Sequence, residues 1–131
     1  MGLTRSVTGL LVGRPIELPR QMLRAHPELG EARWRRGGLP PRIGGAFLRR
    51  RTVAGITLWR TVFLGNGVPL HAELLLHELG HVRQFVSSRA FPFRYLMESL
   101  RRGYSNNRYE RDAQTFAETR LRAARTISQD V

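Results

Sequence analysis

The clearest alternation of apolar and polar positions lies between residues 69 and 86, where apolar side chains recur every three or four residues. They are Leu70, Leu74, Leu75, Leu79, Val82, Phe85 and Val86. This spacing places them on one side of an α-helix, and Pro69 suits the first position of such a helix. The pattern therefore predicts a helix over about 69–86 with one buried face.

Two further helices are predicted downstream. The first covers about 92–102, and Gly103 follows it as a C-terminal signal. The second covers about 108–127 and has a continuous apolar side. That side consists of Tyr109, Ala113, Phe116, Ala117, Leu121 and Ala124.

A β-element is predicted before the first of these helices. Residues 52–64, TVAGITLWRTVFL, are rich in β-branched and aromatic types and contain no proline, which is typical of one bent strand or a tight pair of strands. The turn GNG, residues 65–67, follows. We therefore expect an α+β fold in which a small β-element over about 43–64 packs on three helices.

The first third of the chain is broken by prolines and glycines. The prolines are Pro15, Pro19, Pro27, Pro40 and Pro41. We expect a short helix at residues 20–25 and otherwise an irregular arm, rich in Pro, Gly and Arg, over 1–42. A length of 131 residues fits one domain, so the chain is expected to form a single domain with its core in 43–131.

Composition limits the chemistry that the chain can carry. There are no cysteines, which excludes disulfides, thiolate metal ligands and a cysteine nucleophile. Any metal must therefore be bound by His, Asp or Glu. The chain also lacks an apolar run near the roughly 20 residues of a membrane span, and its N-terminus has too short an apolar centre for a secretory signal. We expect a cytoplasmic protein without a transmembrane segment.

The charge is strongly positive, at +12 with 22 basic residues, all of them arginine. Such complete use of arginine is typical of GC-rich bacterial genomes. The excess charge favours nucleic acid, anionic lipid or an acidic partner, although a generally basic, solvated surface explains it as well. The segments RWRRGG (33–38) and RRR (49–51), beside Trp34 and Phe47, fit either phosphate contact with base stacking or exposed arginines next to core aromatics.

The strongest chemical signal is HELGH, residues 77–81, within the predicted 69–86 helix. His77 and His81 lie one helical turn apart, so both imidazoles can point at one metal ion. Glu78 flanks that ion and is placed to act as the general base on a metal-activated water. The small Gly80 allows another helix to approach closely behind the site. HExxH on a helix is the zinc-binding pattern of metallopeptidases.

The third ligand must be acidic. No histidine follows His81, and His71 lies about 120° away around the helix. The downstream candidates are Glu98, Glu110, Asp112, Glu118 and Asp130.

Glu110 is the preferred candidate, because Ala113 and Ala117 share its side of the third helix and allow close packing against the HExxH helix. Glu118 is the second choice. Glu98 is expected to be a surface or ion-pairing residue.

Together, HExxHxxQ at 77–84 and the later NxxExxA at 107–113 resemble a family of compact bacterial HExxH proteins of the gluzincin type, in which a Glu from a later helix is the third zinc ligand. The resemblance covers roughly residues 53–120. It implies a minimal zincin-like fold with Zn²⁺ on His77, His81 and Glu110, and Glu78 as catalytic base. It also implies that the edge of the β-element at 53–64 binds an extended peptide by strand addition. This chain has Gln114 where well-studied gluzincins often have an Asp that orients a ligand histidine.

The resulting hypothesis is a zinc-dependent metallopeptidase that hydrolyses peptide bonds. The developing oxyanion needs a donor besides the metal, and we expect Tyr104 to supply it. The other candidates are Tyr95, Tyr109 and His71. Two competing interpretations remain: a weak or inactive zinc-binding module whose arginine-rich surface binds nucleic acid or an acidic partner, and a basic α+β scaffold without metal.

Overall fold

The structure, a computed structural model, describes residues 12–38, 54–103 and 106–129. Within these ranges a small sheet packs on helices, so the expected α+β class is confirmed. The elements are β1 (Arg14–Pro15), α1 (Arg20–Ala25), a 3-10 helix (Pro27–Glu31), β2 (Arg33–Arg36), β3 (Gly55–Leu58), β4 (Thr61–Leu64), α2 (Ala72–Ser87), α3 (Phe91–Arg102) and α4 (Arg108–Gln129).

The sheet has the order β1-β2-β4-β3. β3 and β4 form an antiparallel hairpin, which resolves the predicted strand region of 52–64 into the tight pair of strands. Trp59, in the turn between them, adopts a left-handed backbone with φ of 55°, a conformation that is strained for a bulky residue. Among the described strands, β3 lies at the edge of the sheet, and its Thr57 side chain contacts Glu78 of helix α2.

The prediction of an irregular arm is wrong for the described part of residues 1–42. The short helix predicted at 20–25 is present, but strands β1 and β2 flank it. β2 pairs antiparallel with β1 and parallel with β4. Leu29 and Trp34 from this segment lie in the main core, and the Trp34 indole donates a hydrogen bond to the Leu29 carbonyl at 2.9 Å. This segment is therefore part of the sheet and the core.

β2 has the sequence RWRR, with one apolar residue in four, yet it lies between two other strands of the sheet. The hydrogen bonds of its arginine side chains explain this position. The guanidinium of Arg35 donates to the carbonyls of Val12 and Gly13. The Arg36 guanidinium donates to the carbonyls of Gly65 and Val68, at 2.9 and 2.8 Å. The charged groups thus saturate backbone acceptors that flank the sheet.

Helix α2 begins later than predicted, at Ala72 instead of Pro69. His71 has an extended backbone, with φ of −99° and ψ of 140°, and precedes the helix as its N-cap residue. The N–H of His71 donates to the Pro69 carbonyl in a tight turn, so Pro69 opens this turn and not the helix. Most of the apolar side predicted for α2 is buried: Leu75 and Leu79 have no exposed area, and Val82 is 2% exposed. The prediction is wrong for Val86, which is 54% exposed because it lies in the last turn of the helix, next to its end at Ser87.

Helices α2 and α4 cross where both have small residues. A Cβ atom added to Gly80 would lie 3.0 Å from the Ala113 Cα and 3.2 Å from its Cβ. Ala113 and Ala117 are buried at this crossing. The close approach expected from Gly80, Ala113 and Ala117 is confirmed, and it brings the first turn of α4 against the HExxH segment.

Asn107 connects α3 to α4. Its side chain is fully buried; Nδ2 donates to Ser99 Oγ at 2.8 Å and to the Tyr95 carbonyl at 3.3 Å, both in α3. Its Oδ1 accepts from the N–H of Tyr109 at 2.8 Å, in the first turn of α4. This capping interaction fixes the start of α4, three residues before Glu110.

Among the described residues, no helix has the length and apolar character needed to cross a membrane.

Candidate metal centre

The two histidines of the HELGH segment face the same carboxylate. His77 Nε2 lies 2.9 Å from Glu110 Oε2, and His81 Nε2 lies 3.1 Å from Glu110 Oε1. One ligand atom from each of the three residues lies within 4.8 Å of the other two. The structure therefore brings together the three residues that the sequence selects as ligands, close enough to bind one metal ion.

The distances and donor types fit a tetrahedral divalent ion. Two ligand atoms bound at about 2.0 to 2.1 Å in tetrahedral geometry lie about 3.3 Å apart, close to the observed spacings between nitrogen and oxygen. Two imidazoles and one carboxylate, without a thiolate, form the ligand set of many catalytic zinc sites and leave a fourth position open. The residues present thus fit zinc.

Two glutamines hold the imidazoles by their other nitrogen. The Nδ1 atom of His77 lies 3.0 Å from Gln114 Oε1, and the Nδ1 atom of His81 lies 2.8 Å from Gln84 Oε1. The amide groups are oriented by their own donations: Gln84 Nε2 to the Tyr109 carbonyl, and Gln114 Nε2 to a carboxylate oxygen of Glu73. Because an amide oxygen only accepts, each Nδ1 carries the proton. In the neutral imidazoles the Nε2 lone pairs consequently point at the ligand cluster.

Gln114, one helical turn after Glu110, contacts the His77 ring from helix α4. Its acceptor is a neutral amide, so it orients the His77 ring without adding negative charge. Sequence reasoning missed this role. The signal was available in the spacing, because Gln114 follows Glu110 by one helical turn.

The pKa values of the three residues are strongly coupled. Burial lowers the pKa of His81, but the hydrogen bond to Glu110 and the negative charges of Glu78 and Glu110 outweigh it and raise the pKa to about 9. Burial also lowers the pKa of His77, but the hydrogen bond to Glu110 and the nearby negative charges outweigh this effect, so the pKa is raised on balance. For Glu110, burial raises the pKa, while the hydrogen bonds from the two histidines lower it well below its usual range. Without metal, protons on the imidazoles neutralise the carboxylate.

Tyr95 also contacts the ligand carboxylate. Its hydroxyl donates to Glu110 Oε1 at 2.6 Å from helix α3. Its ring meets the His81 ring edge-on, with centroids 6.0 Å apart, and Phe91 lies on the same side of His81. His81 is only 7% exposed beside these rings, and the tyrosine hydroxyl holds one oxygen of the Glu110 carboxylate.

Glu78 lies against strand β3, at the edge of the described sheet. Its carboxylate Oε2 accepts a hydrogen bond from Thr57 Oγ1 at 2.7 Å. A Cβ atom on Gly55 would lie 3.0 Å from Glu78 Oε1, so the absence of a side chain at this position makes room for the carboxylate. Gly55 and Thr57 were not singled out from the sequence. Their roles depend on how β3 docks on α2, which sequence periodicity does not specify.

The remaining candidates lie outside the three-residue cluster or outside the described residues. Glu118, the second choice of ligand, is exposed and accepts a hydrogen bond from Gln114 at 3.2 Å. Glu98 pairs with Arg102 at 3.4 Å, as expected for an ion-pairing residue. His71 is the exposed N-cap residue of α2. The Tyr109 hydroxyl accepts from Arg108 at 2.9 Å. Tyr104 lies outside the described residues.

Comparison of the chain with protein-family models, with curated proteins and with solved structures finds no match. Its functional assignment therefore depends on the geometry and chemistry of its own residues.

Proposed function

We propose that the protein is a small zinc-dependent metallopeptidase of the gluzincin type. The observation that carries the proposal is the convergence of His77, His81 and Glu110, whose ligand atoms lie within 4.8 Å of one another. The orientation of both histidines by glutamine amides supports it further. A largely buried histidine pair of this kind, turned by its Nδ1 contacts towards one carboxylate, is the expected arrangement for metal ligation and costs stability otherwise.

Zinc, when bound, polarises the scissile carbonyl and lowers the pKa of water towards about 7. Glu78 takes the proton of the attacking water and delivers it to the leaving nitrogen. Its position supports this role, because the carboxylate is buried, adjacent in sequence to a ligand, and held by the Thr57 hydroxyl. The oxyanion donor expected from the sequence, Tyr104, remains a prediction.

The edge strand β3 is the proposed substrate platform. It pairs with β4 on one side, and no described strand pairs with its other side. An extended peptide added to that side would run past the Glu78 carboxylate, which lies against Gly55 and Thr57. Main-chain hydrogen bonds would then align the peptide with the ligand cluster.

The competing interpretation, an arginine-rich surface that binds nucleic acid, receives less support from the described residues. Trp34 is buried in the core and unavailable for stacking on bases. The guanidinium groups of Arg35 and Arg36 are bound to backbone carbonyls. Phe47 and the arginines at 49–51 lie outside the described residues.

The proposal is tested by peptide hydrolysis with the zinc-loaded Glu78→Gln variant. The amide retains the shape of the side chain but cannot accept a proton, so turnover is expected to fall by at least about 100-fold while zinc content stays unchanged. Asp112→Ala, which removes an exposed carboxylate on α4, is the control and is expected to retain full turnover. Equal turnover in Glu78→Gln and the wild type would remove Glu78 from the catalytic role.

A further inference from the structure

Helix α3 presents an apolar stripe to solvent. Phe93, Leu96, Met97 and Leu100 are 66%, 42%, 41% and 68% exposed. Their spacing of i, i+3, i+4 and i+7 aligns them along one side of the helix for about 10 Å, at roughly 1.5 Å per residue. A contiguous exposed stripe of this kind, unlike scattered single apolar residues, is typical of a surface that interacts with a protein, a membrane or a ligand.

The opposite side of α3 anchors the helix to the domain. Phe91 is buried and packs on Phe85 with ring centroids 4.6 Å apart. Tyr95 donates to Glu110, and Ser99 accepts a hydrogen bond from Asn107. Because these contacts fix the orientation of α3, the apolar stripe faces outward as a consequence of the fold and not through fraying of the helix.

The charged side chains that α3 itself places beside the stripe are both arginines. Arg94 and Arg101 are exposed and border it on one side, and no ion pair with a described residue neutralises either of them. The only acidic residue of α3 is Glu98, whose side chain is 13% exposed and pairs with Arg102. This face combines apolar side chains with an arginine border and has no outward carboxylate. It is therefore complementary to a surface whose outer layer carries negative charge and whose next layer is apolar.

We propose that this face of α3 binds the surface of an anionic lipid bilayer, with the helix lying parallel to the membrane plane. The apolar side chains enter the boundary of the acyl chains, and Arg94 and Arg101 contact lipid phosphates. A second copy of the chain fits less well, because two such faces would bring arginines of chains with a net charge of +12 against each other. The inference is independent of the metal site.

The test is co-sedimentation of the full chain with vesicles, in chelator so that metal plays no part. Vesicles of equimolar phosphatidylglycerol and phosphatidylcholine are compared with vesicles of phosphatidylcholine alone. The wild type is expected to bind the anionic vesicles, and the double variant Phe93→Ser/Leu100→Ser is expected to bind at least about tenfold more weakly. The control is Ile127→Ser, which alters a residue that is also 68% exposed but lies near the end of α4, and it is expected to bind like the wild type.

A second variant separates the charge from the apolar contribution. Arg94→Gln/Arg101→Gln keeps the stripe and is expected to weaken binding to anionic vesicles several-fold, and binding of the wild type is expected to fall with added salt. Failure of the wild type to bind anionic vesicles, or equal binding by Phe93→Ser/Leu100→Ser, would overturn the proposal. So would a wild-type dimer in solution that dissociates in the double serine variant, because the stripe would then be a contact between copies of the chain.

Discussion

At the residue scale, the two glutamines decide which nitrogen of each imidazole is available to a metal. Gln84 and Gln114 accept from the Nδ1 atoms of His81 and His77, and their amide hydrogens are fixed by other acceptors. Each Nδ1 therefore carries a proton, and Nε2, which donates to Glu110 in the metal-free chain, is the nitrogen that becomes available to a metal when its proton is lost. Each amide acts through a candidate ligand, so both glutamines are positioning residues.

Gln84→Ala and Gln114→Ala are each expected to weaken zinc binding by about 10- to 100-fold, because the imidazole loses its preferred tautomer and orientation. Competition with a chelating indicator measures the affinity. Gln21→Ala, at an exposed position of α1, is the matched control and is expected to bind zinc like the wild type. Unchanged affinity in both site variants would show that the amides do not orient the ligands.

The coupled ionisation of the cluster predicts opposite pH dependences with and without metal. The pKa of His81 is raised from 6.5 to about 9 in the folded chain, and that of His77 is raised as well. A raised pKa stabilises the fold fully below about 6.5, and this stabilisation is lost as pH rises through about 9. In chelator, the free energy of unfolding is therefore expected to decrease from pH 6.5 to 9.

With one equivalent of zinc, the free energy of unfolding is expected to increase between pH 6 and 8, because zinc binding requires deprotonated imidazoles. Denaturant titrations at several pH values, with zinc and with chelator, measure both trends. In the variant Glu110→Gln, the free energy of unfolding in chelator is expected to decrease much less with pH, since the amide does not stabilise the protonated histidines. Parallel curves in zinc and in chelator would contradict metal binding at these residues.

At the scale of elements, the crossing of α2 and α4 positions Glu110, the third candidate ligand. Gly80 contacts Ala113 at backbone distance, and Ala113 follows Glu110 by three residues on the same side of α4. The approach of α4 to α2 and the distance from Glu110 to the histidines are thus controlled by the same contact. Apolar periodicity and small residues were sufficient to predict this crossing from the sequence.

Gly80→Ala is expected to push α4 away, because its Cβ would lie 3.0 Å from the Ala113 Cα. Overpacking destabilises a fold by about 1–3 kcal/mol, whereas the higher helix propensity of alanine over glycine stabilises it by about 1 kcal/mol. Both the free energy of unfolding and the zinc affinity are therefore expected to fall. Chemical denaturation and zinc titration measure the two effects. The control is Gly30→Ala, where an added Cβ meets nothing within 4 Å and both quantities are expected to stay unchanged. Tighter zinc binding in Gly80→Ala would contradict the role of the crossing.

At the scale of the whole molecule, the sequence predicted the helices and the candidate ligands better than it predicted the sheet. Local periodicity defines α2 and α4, and the HExxH spacing is also local. β2 was missed because its single apolar residue, Trp34, lies among arginines whose acceptors are distant in sequence. The docking of Thr57 on Glu78 was missed for the same reason, since tertiary contacts that join distant segments leave no local pattern.

The two tryptophans provide a direct test of the corrected N-terminal segment. Trp34→Ala is expected to cost about 3–5 kcal/mol in the free energy of unfolding, because it empties a core position shared by β2 and the 3-10 helix. Trp59→Ala, at a residue 60% exposed, is expected to cost less than about 1 kcal/mol. Denaturant unfolding compares them. Similar small decreases in the free energy of unfolding for both substitutions would show that the segment is peripheral to the core.

The most direct test of the account is zinc stoichiometry of the purified chain after loading and desalting, with Glu110→Ala and Asp112→Ala measured beside the wild type. Among the described residues, Glu110 is the one member of the His77, His81 and Glu110 cluster that lies outside α2, whereas Asp112 is exposed on the same turn of α4. We predict one zinc per chain in the wild type and in Asp112→Ala, and loss of zinc from Glu110→Ala. No zinc in the loaded wild type, or equal zinc in all three, would contradict the proposed metal centre.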